Sequence, residues 1–257
     1  MPRIGFVGVG TIANAVARGL LARYGDDISV ALSPRNAEKA AALAAQFPNV
    51  EVKASNQEVL DSSDWVVLAV IPRVAKDVLT ALSFRADHQV VDLVANFSLE
   101  QVREWVGSTA SLTRMVPLPF IAQRVGPLAL YPDSAQVAEF FEGLGDLVPA
   151  RNERELDVLQ VVTALMSPYY ATLGAVVSWG AANGLPAELS ARYTISFFEA
   201  LLQQAKTLSP GQLGEIWKEM TPGGLNELAV THIQEAGSLA AWEAALDKVL
   251  ARVLSMK

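Results

Sequence analysis

Cysteine is absent from the 257 residues, which excludes disulfides, thiolate nucleophiles, iron–sulfur clusters and Cys-ligated zinc together. A reducing compartment is therefore permitted. Histidine is almost absent as well. Only His88 and His232 occur, too few for a histidine-rich metal site, and a Ser-His-Asp mechanism would have to use one of these two rings. Both read better as structural residues, and no metal is expected. Positive charge is in deficit, with 20 Lys and Arg against 27 Asp and Glu for a formal charge of −7. That balance disfavours the broad basic surface a nucleic-acid partner needs. The most apolar run, Ala171 to Ala182, is interrupted by Gly174, Ser178 and Gly180 and falls short of the ~20 apolar residues of a membrane span. The chain opens on Arg3-Ile4-Gly5-Phe6-Val7 with no charged segment ahead of an apolar one, so no signal peptide is expected. These absences predict a soluble, cytoplasmic protein without a membrane partner.

What is present is a core. Apolar residues make up 51% and charged residues 18%, far from the composition of disordered chains. Short β-branched runs alternate with helical periodicity through the first half. The strand-like runs are Ile4 to Val7, Ile28 to Leu32, Val50 to Lys53, Trp65 to Val70, Gln89 to Val94, Ser111 to Val116 and Leu128 to Tyr131. Helical patterns separate them at Thr11 to Tyr24, Asn36 to Phe47, Pro72 to Leu82, Leu99 to Val106 and Ser134 to Leu144. This alternation predicts an α/β domain built on a mostly parallel sheet covered on both faces. Near Arg151 the texture changes to Ala- and Leu-rich helical patterns, from Glu153 to Asn183 with a kink expected at Pro168, then from Pro186 to Leu208 and from Ser238 to Leu254. The expected division is residues 1–151 as a dinucleotide-binding domain and 152–257 as an all-α domain for dimerisation and substrate binding.

Gly8-Val9-Gly10-Thr11-Ile12-Ala13 follows the first strand and opens the first helix, the context in which Gly-x-Gly-x-x-Ala signals a Rossmann dinucleotide site. Gly8 permits the tight turn, Gly10 lets the backbone approach a pyrophosphate on the positive end of the helix, and Ala13 allows close helix–strand packing. NAD-specific proteins carry an acidic residue at the end of the second strand. Here the chain reads Leu32-Ser33-Pro34-Arg35-Asn36, with no carboxylate. Ser33 can donate a hydrogen bond and Arg35 can pair with a 2′-phosphate, which favours NADP, NADPH being preferred over NADH. Ser33 equally suits a helix N-cap and Arg35 a solvated surface.

In these segments the chain resembles the pyrroline-5-carboxylate reductase family, which makes proline by NAD(P)H reduction of a cyclic imine. The likeness extends over nearly the whole chain. It is carried by Ile4 to Ala13, by Ser33-Pro34-Arg35, by Asn56 where the family has an adenosine-contacting Asn, and by Ala69-Val70-Ile71-Pro72 where it has Ala-Val-Lys-Pro beside the nicotinamide. The most distinctive match is Thr221-Pro222-Gly223-Gly224, similar to a Ser-Pro-Gly-Gly turn whose amides hold the substrate carboxylate in the family. The resemblance also implies a homodimer with interleaved helices and a shared site. Departures fall on the substrate side. Leu225 and Asn226 replace two threonines, Met115-Val116-Pro117-Leu118-Pro119 lacks the family's Asn and Thr, and Met166-Ser167-Pro168-Tyr169-Tyr170 replaces a Ser-Gly-rich segment.

Reducing a ketone requires a proton donor for the developing alkoxide, whereas a protonated imine accepts hydride to become a neutral amine. The stretch from Glu153 to Asn183 contains no Lys or His, which argues against alcohol chemistry of the β-hydroxyacid dehydrogenase type. Asn226 and Thr221 are the candidate catalytic groups. Pro222, Gly223, Gly224, Leu225 and Tyr169 are candidates for binding a small imino-acid substrate, although Asn226 equally suits helix capping and Tyr169 packing. The reading is an NADPH-dependent imine reductase; its alternative is a nucleotide-binding paralogue that has lost turnover and senses or scaffolds.

Overall fold

Alternation of β-branched and small residues becomes a sheet whose two faces are read directly from residue parity. The structure, a computed structural model, describes residues 1–107, 111–219 and 221–257. It divides into two units, residues 1–160 with 252–257, and residues 161–251.

In the first unit, strands β1 (Arg3–Val7), β2 (Ser29–Leu32), β3 (Val50–Val52), β4 (Trp65–Leu68), β5 (Gln89–Asp92), β6 (Ser111–Val116), β7 (Pro127–Tyr131) and β8 (Asp146–Pro149) form one sheet in the order β3-β2-β1-β4-β5-β6-β7-β8. Only the β6–β7 pairing is antiparallel. The helices are α1 (Thr11–Tyr24), α2 (Ala37–Ala44), α3 (Asn56–Asp61), α4 (Pro72–Thr80), α5 (Leu99–Val106) and α6 (Ala135–Phe141). Ile4, Phe6, Val67 and Val91 face one way and share a core with Val16 and Leu20 of α1, Leu43 of α2 and Phe141 of α6. Their neighbours Val7, Val66, Leu68 and Val90 face the other way, against Leu60 of α3, Leu79 of α4 and Val102 of α5. Each such fully buried Val, Leu, Ile or Phe contributes about 1.5–3 kcal/mol, so helix layers on both faces are held by period-two alternation in the strands. This is a Rossmann-like domain.

β8 lies outside the sequence expectations, whereas α3 begins at Asn56, where a helix start is expected. β8 is short, partly exposed and ends on Pro149, as suits an edge strand. The six-residue α3 is set by Ser55, whose Oγ accepts the Glu58 N–H at 3.1 Å.

The helical region begins with α7 (Glu153–Val162), whose first residues still belong to the sheet unit, so that unit runs past residue 151 to Gln160. It continues with α8 (Met166–Ala182), α9 (Ala187–Ala205), α10 (Pro210–Glu215), α11 (Leu225–Glu235) and α12 (Ser238–Ser255). The expected kink at Pro168 falls one turn earlier, as a 3-10 segment at Thr163–Leu165. Pro168 has no N–H for the Ala164 carbonyl, and its ring crowds that carbonyl. α8 and α9 pack closely because a Cβ on Gly180 would overlap Ser190 Oγ, and that hydroxyl donates to the Val177 carbonyl at 3.0 Å. One expectation is corrected. The continuous run Glu153–Ala182 spans 30 residues and holds an 18-residue window of mean hydropathy 1.3, long and apolar enough to cross a membrane by length and composition, because the uncharged stretch starts well before Ala171.

Candidate active site

The strand order reverses between β1 and β4, and ligands of such sheets bind outside the carboxyl ends of the strands at that point. A cleft of about 350 Å³ opens there, lined among others by Gly10, Thr11, Ile12, Ala13, Ala69, Val70 and Pro72. A neighbouring one of about 250 Å³ is bordered by Gly8, Gly10, Arg35, Asn36 and Ala69. The fold therefore gathers nearly every residue expected to hold the cofactor onto one edge. Asn56 opens α3 beyond the carboxyl end of β3, half-buried and outside both clefts.

The two glycines have separate tasks. Gly8 has φ +100°, and a Cβ there would lie 2.5 Å from the Ala69 carbonyl oxygen, so this glycine is required by the packing of the β1 and β4 ends. Gly10 is the N-cap of α1, in extended conformation with no side-chain cap. A Cβ on Gly10 would meet nothing within 4 Å. The space before it is open, and the first amides of α1 have no intrahelical acceptor. That arrangement suits a phosphate at the positive helix end. Ala13, 2% exposed, lies in the core as expected.

At the end of β2, Ser33 is fully buried, and its Oγ accepts the Gly8 N–H at 2.9 Å. Its side chain makes no cap hydrogen bond. Ser33 thus shapes the glycine turn and offers no surface to a ligand, while Arg35 is exposed on the cleft. Asn36, not singled out from sequence, donates from Nδ2 to the Val9 carbonyl at 2.9 Å, tying the second turn to the first.

The far wall of the larger cleft comes from Leu93, Val94, Ala95, Met115, Val116 and Pro117, at the ends of β5 and β6. Its ionisable group is Arg114, which is committed to its neighbours. Nε donates to Asp92 Oδ2 at 2.7 Å and Nη1 to the Phe97 carbonyl at 2.6 Å. Nη2 lies 2.6 Å from Asp92 Oδ2, and Glu153 stands 3.2 Å from Nη1. Lys257 then bridges Glu153 and Asp157 at 2.8 and 2.7 Å. Burial pushes the Asp92 carboxyl up and the Arg114 charge opposes it. Burial also opposes ionisation of Glu153, but hydrogen bonds from Lys257 and the Leu99 amide, with the Lys257 and Arg114 charges, hold its carboxyl below the ordinary range. Sequence reading missed this network, since its members lie on β5, β6, α7 and the chain end.

In the second unit, Thr221-Pro222-Gly223-Gly224 forms a turn closed by the Gly224 N–H on the Thr221 carbonyl at 2.9 Å, with Gly223 at φ +73°. The two amides expected to hold a substrate carboxylate are engaged within the chain, because Gly223 N–H donates to Glu227 Oε2 at 2.5 Å. Gly224 is the N-cap of α11. Asn226 therefore sits inside the first turn rather than capping it, and it is exposed, as are Thr221 and Pro222. Leu225 is 85% exposed. Tyr169 is half-buried, edge-on to Phe198 of α9 at 6.4 Å between ring centres, which is a packing arrangement. Among the described residues no cluster of metal-ligating side chains occurs.

Residues 3–96 match the sequence model of the family described as NADP oxidoreductase coenzyme F420-dependent. A pyrroline-5-carboxylate reductase of Glycine max is 27% identical over 253 residues, covering 91% of this chain and 88% of the relative. One from Escherichia coli is 25% identical over 262 residues and covers 96% of each. The structure of Plasmodium falciparum pyrroline carboxylate reductase with NADP bound superposes with a TM-score of 0.85 at 18% identity, over 99% of this chain and 98% of that one. Along most of its sequence the chain is similar to pyrroline-5-carboxylate reductases, and nearly all of its fold is that of the solved Plasmodium falciparum structure.

Proposed function

We propose that this chain is an NADPH-dependent reductase acting on the C=N bond of a cyclic imino acid. The observation that carries the reading is the larger cleft. It joins the open space before Gly10 to a wall of Leu93, Val94, Met115 and Val116, and the one ionisable side chain along it, Arg114, is tied to Asp92. NADPH bound there supplies a hydride, and the electron pair of the protonated C=N moves onto nitrogen to give a neutral amine. Such an acceptor arrives with its proton, so the chain's task is to orient it and exclude water. An apolar wall without a free acid fits that task and does not fit ketone reduction, which needs a donor for the alkoxide. Gly10 and the first amides of α1 would hold the pyrophosphate, with Arg35 on the adenosine side.

Trp179, Tyr193 and Ile195 on α8 and α9 are 68%, 72% and 57% exposed, an apolar surface that supports a homodimer formed through these helices. A cytoplasmic location suits the cysteine-free composition. No observation favours the alternative in which turnover is lost. Loss of NADPH absorbance with a panel of cyclic imines, beside NADPH alone, tests the proposal; binding without oxidation on any imine would defeat it.

A further inference from the structure

The wall that Leu93, Val94 and Ala95 give to the larger cleft belongs to residues 93–98, which leave β5 without entering a helix or strand. They carry Asn96 at φ +73°, a left-handed conformation that most residues with a side chain avoid. Three hydrogen bonds hold this backbone from behind. The Val94 N–H donates to Asp92 Oδ1 at 2.8 Å, Arg114 Nη1 donates to the Phe97 carbonyl at 2.6 Å, and the Leu99 N–H donates to Glu153 Oε1 at 3.0 Å. Every anchor is a charged side chain, and the three are joined. Arg114 lies between Asp92 and Glu153, and Lys257 closes the line by donating to both Glu153 and Asp157. Asp92 is fully buried and the Arg114 side chain is 7% exposed.

We propose that Arg114 is a positioning residue for hydride transfer, fixing the backbone of residues 93–98 through a network that Glu153 and Lys257 complete. This rests on the assignment of the cleft to a reductase's cofactor and goes beyond it by naming what holds the wall that faces the cofactor. A buried ion pair stabilises a fold little over an apolar replacement of the same volume. Stability alone therefore does not account for charges drawn together from β5, β6, α7 and the residues after α12. What such a network provides is direction, since each of its hydrogen bonds to the wall fixes one backbone group. The guanidinium lies behind the wall, bonded to Asp92 and the Phe97 carbonyl, so it acts on a ligand through residues 93–98. Cofactor affinity would come from the other side of the cleft, where Gly10 faces open space. Displacing the wall should slow the chemical step, which depends on a near-attack geometry, and leave NADPH binding nearly intact.

The test is steady-state kinetics of the full chain with NADPH and a cyclic imino acid, beside Lys257→Met, Lys257→Arg and Glu153→Gln. Lys257 lines neither cleft, and Lys257→Met removes the outer link of the network. Glu153→Gln keeps an oxygen for the Leu99 amide but loses the charge facing Arg114 and Lys257, so a second route to a loosened network remains if the first variant unfolds. With Lys257→Met, kcat should fall about tenfold while KM for NADPH changes less than about twofold, the split expected when positioning is lost. Glu153→Gln should show the same split at about threefold, and Lys257→Arg should keep most of kcat. With NADPH deuterated at the transferable position, the isotope effect on kcat should be at least that of the starting protein, because hydride transfer is the step slowed. An unchanged kcat in the folded variants would overturn the proposal, as would a loss confined to KM for NADPH or a smaller isotope effect. A starting protein that oxidises NADPH with no cyclic imine would overturn the reading of the cleft and this proposal with it, an outcome seen before any substitution is made.

Discussion

The Gly8 amide donates to Ser33 Oγ across 2.9 Å, so the turn after β1 is fastened by the residue that ends the neighbouring strand. With a Cβ on Gly8 directed at the Ala69 carbonyl, that turn is over-determined, while the space before Gly10 is left free. Gly8→Ala should therefore destabilise the protein by roughly 2–4 kcal/mol through positive φ and overlap with backbone. Gly10→Val should cost at most about 1 kcal/mol, the loss of a preferred N-cap residue, yet abolish binding of both NADPH and NADH. Thermal melts beside nucleotide titrations separate the two; tight binding by Gly10→Val would contradict the phosphate site there.

His88 is fully buried. Its Nδ1 accepts the Arg85 N–H at 3.0 Å, which assigns the proton to Nε2, 3.2 Å from the Leu60 carbonyl. Burial, then the Arg85 charge, lowers its pKa from the usual histidine value. The unfolded chain thus takes up a proton near pH 6.5 that the folded chain refuses. Stability should fall as pH drops below about 6.5 and stop falling once the folded-state pKa is passed. Denaturant midpoints from pH 7.5 downward check this. His88→Gln, which keeps an acceptor and a donor, should flatten the profile in that window, and an unchanged slope would refute the assignment.

On the substrate side, Val116 lines the larger cleft, and an apolar wall favours bulkier imines over pyrroline-5-carboxylate. Val116→Thr should shift the ratio of kcat/KM toward the small substrate by about fivefold, from roughly 1 kcal/mol of apolar burial. Pyrroline-5-carboxylate turnover at the same ratio in both proteins would show that this side chain does not set specificity.

The exposed rings of Trp179 and Tyr193 should be covered by a second copy of the chain. Sedimentation at micromolar concentration is expected to give a dimer, and Trp179→Glu to weaken it by more than about 2 kcal/mol, the scale of a buried aromatic anchor. A monomeric starting protein would contradict this.

Periodicity made the sheet legible because buried strands leave continuous β-branched runs. Trp65 to Val70 and Ser111 to Val116 could hardly be read otherwise. β8 was not legible, since Asp146-Leu147-Val148-Pro149 is half-exposed and carries turn residues. The cleft is legible because Gly8, required by its positive φ, and Gly10, facing open space, both lie within three residues of Thr11. Ser33 illustrates the limit. Its residue type suits phosphate binding, but the Gly8 amide had already claimed its oxygen, and only the tertiary structure shows that. Asp92, Arg114, Glu153 and Lys257 meet across long separations in sequence, so no spacing announces them. Likewise the Gly223 amide looked free for a ligand until Glu227, four residues on, was seen to occupy it.

The central claim is hydride delivery to a C=N carbon from a nucleotide held at Gly10. It is tested most directly by supplying NADPH deuterated at the transferable position of the nicotinamide, with a carboxylate-bearing cyclic imine, and weighing the product. The account predicts a cyclic amino acid carrying one deuterium at the former imine carbon, formed at the rate of NADPH loss and absent with Gly10→Val. Tight NADPH binding with no labelled amine from any cyclic imine would contradict it.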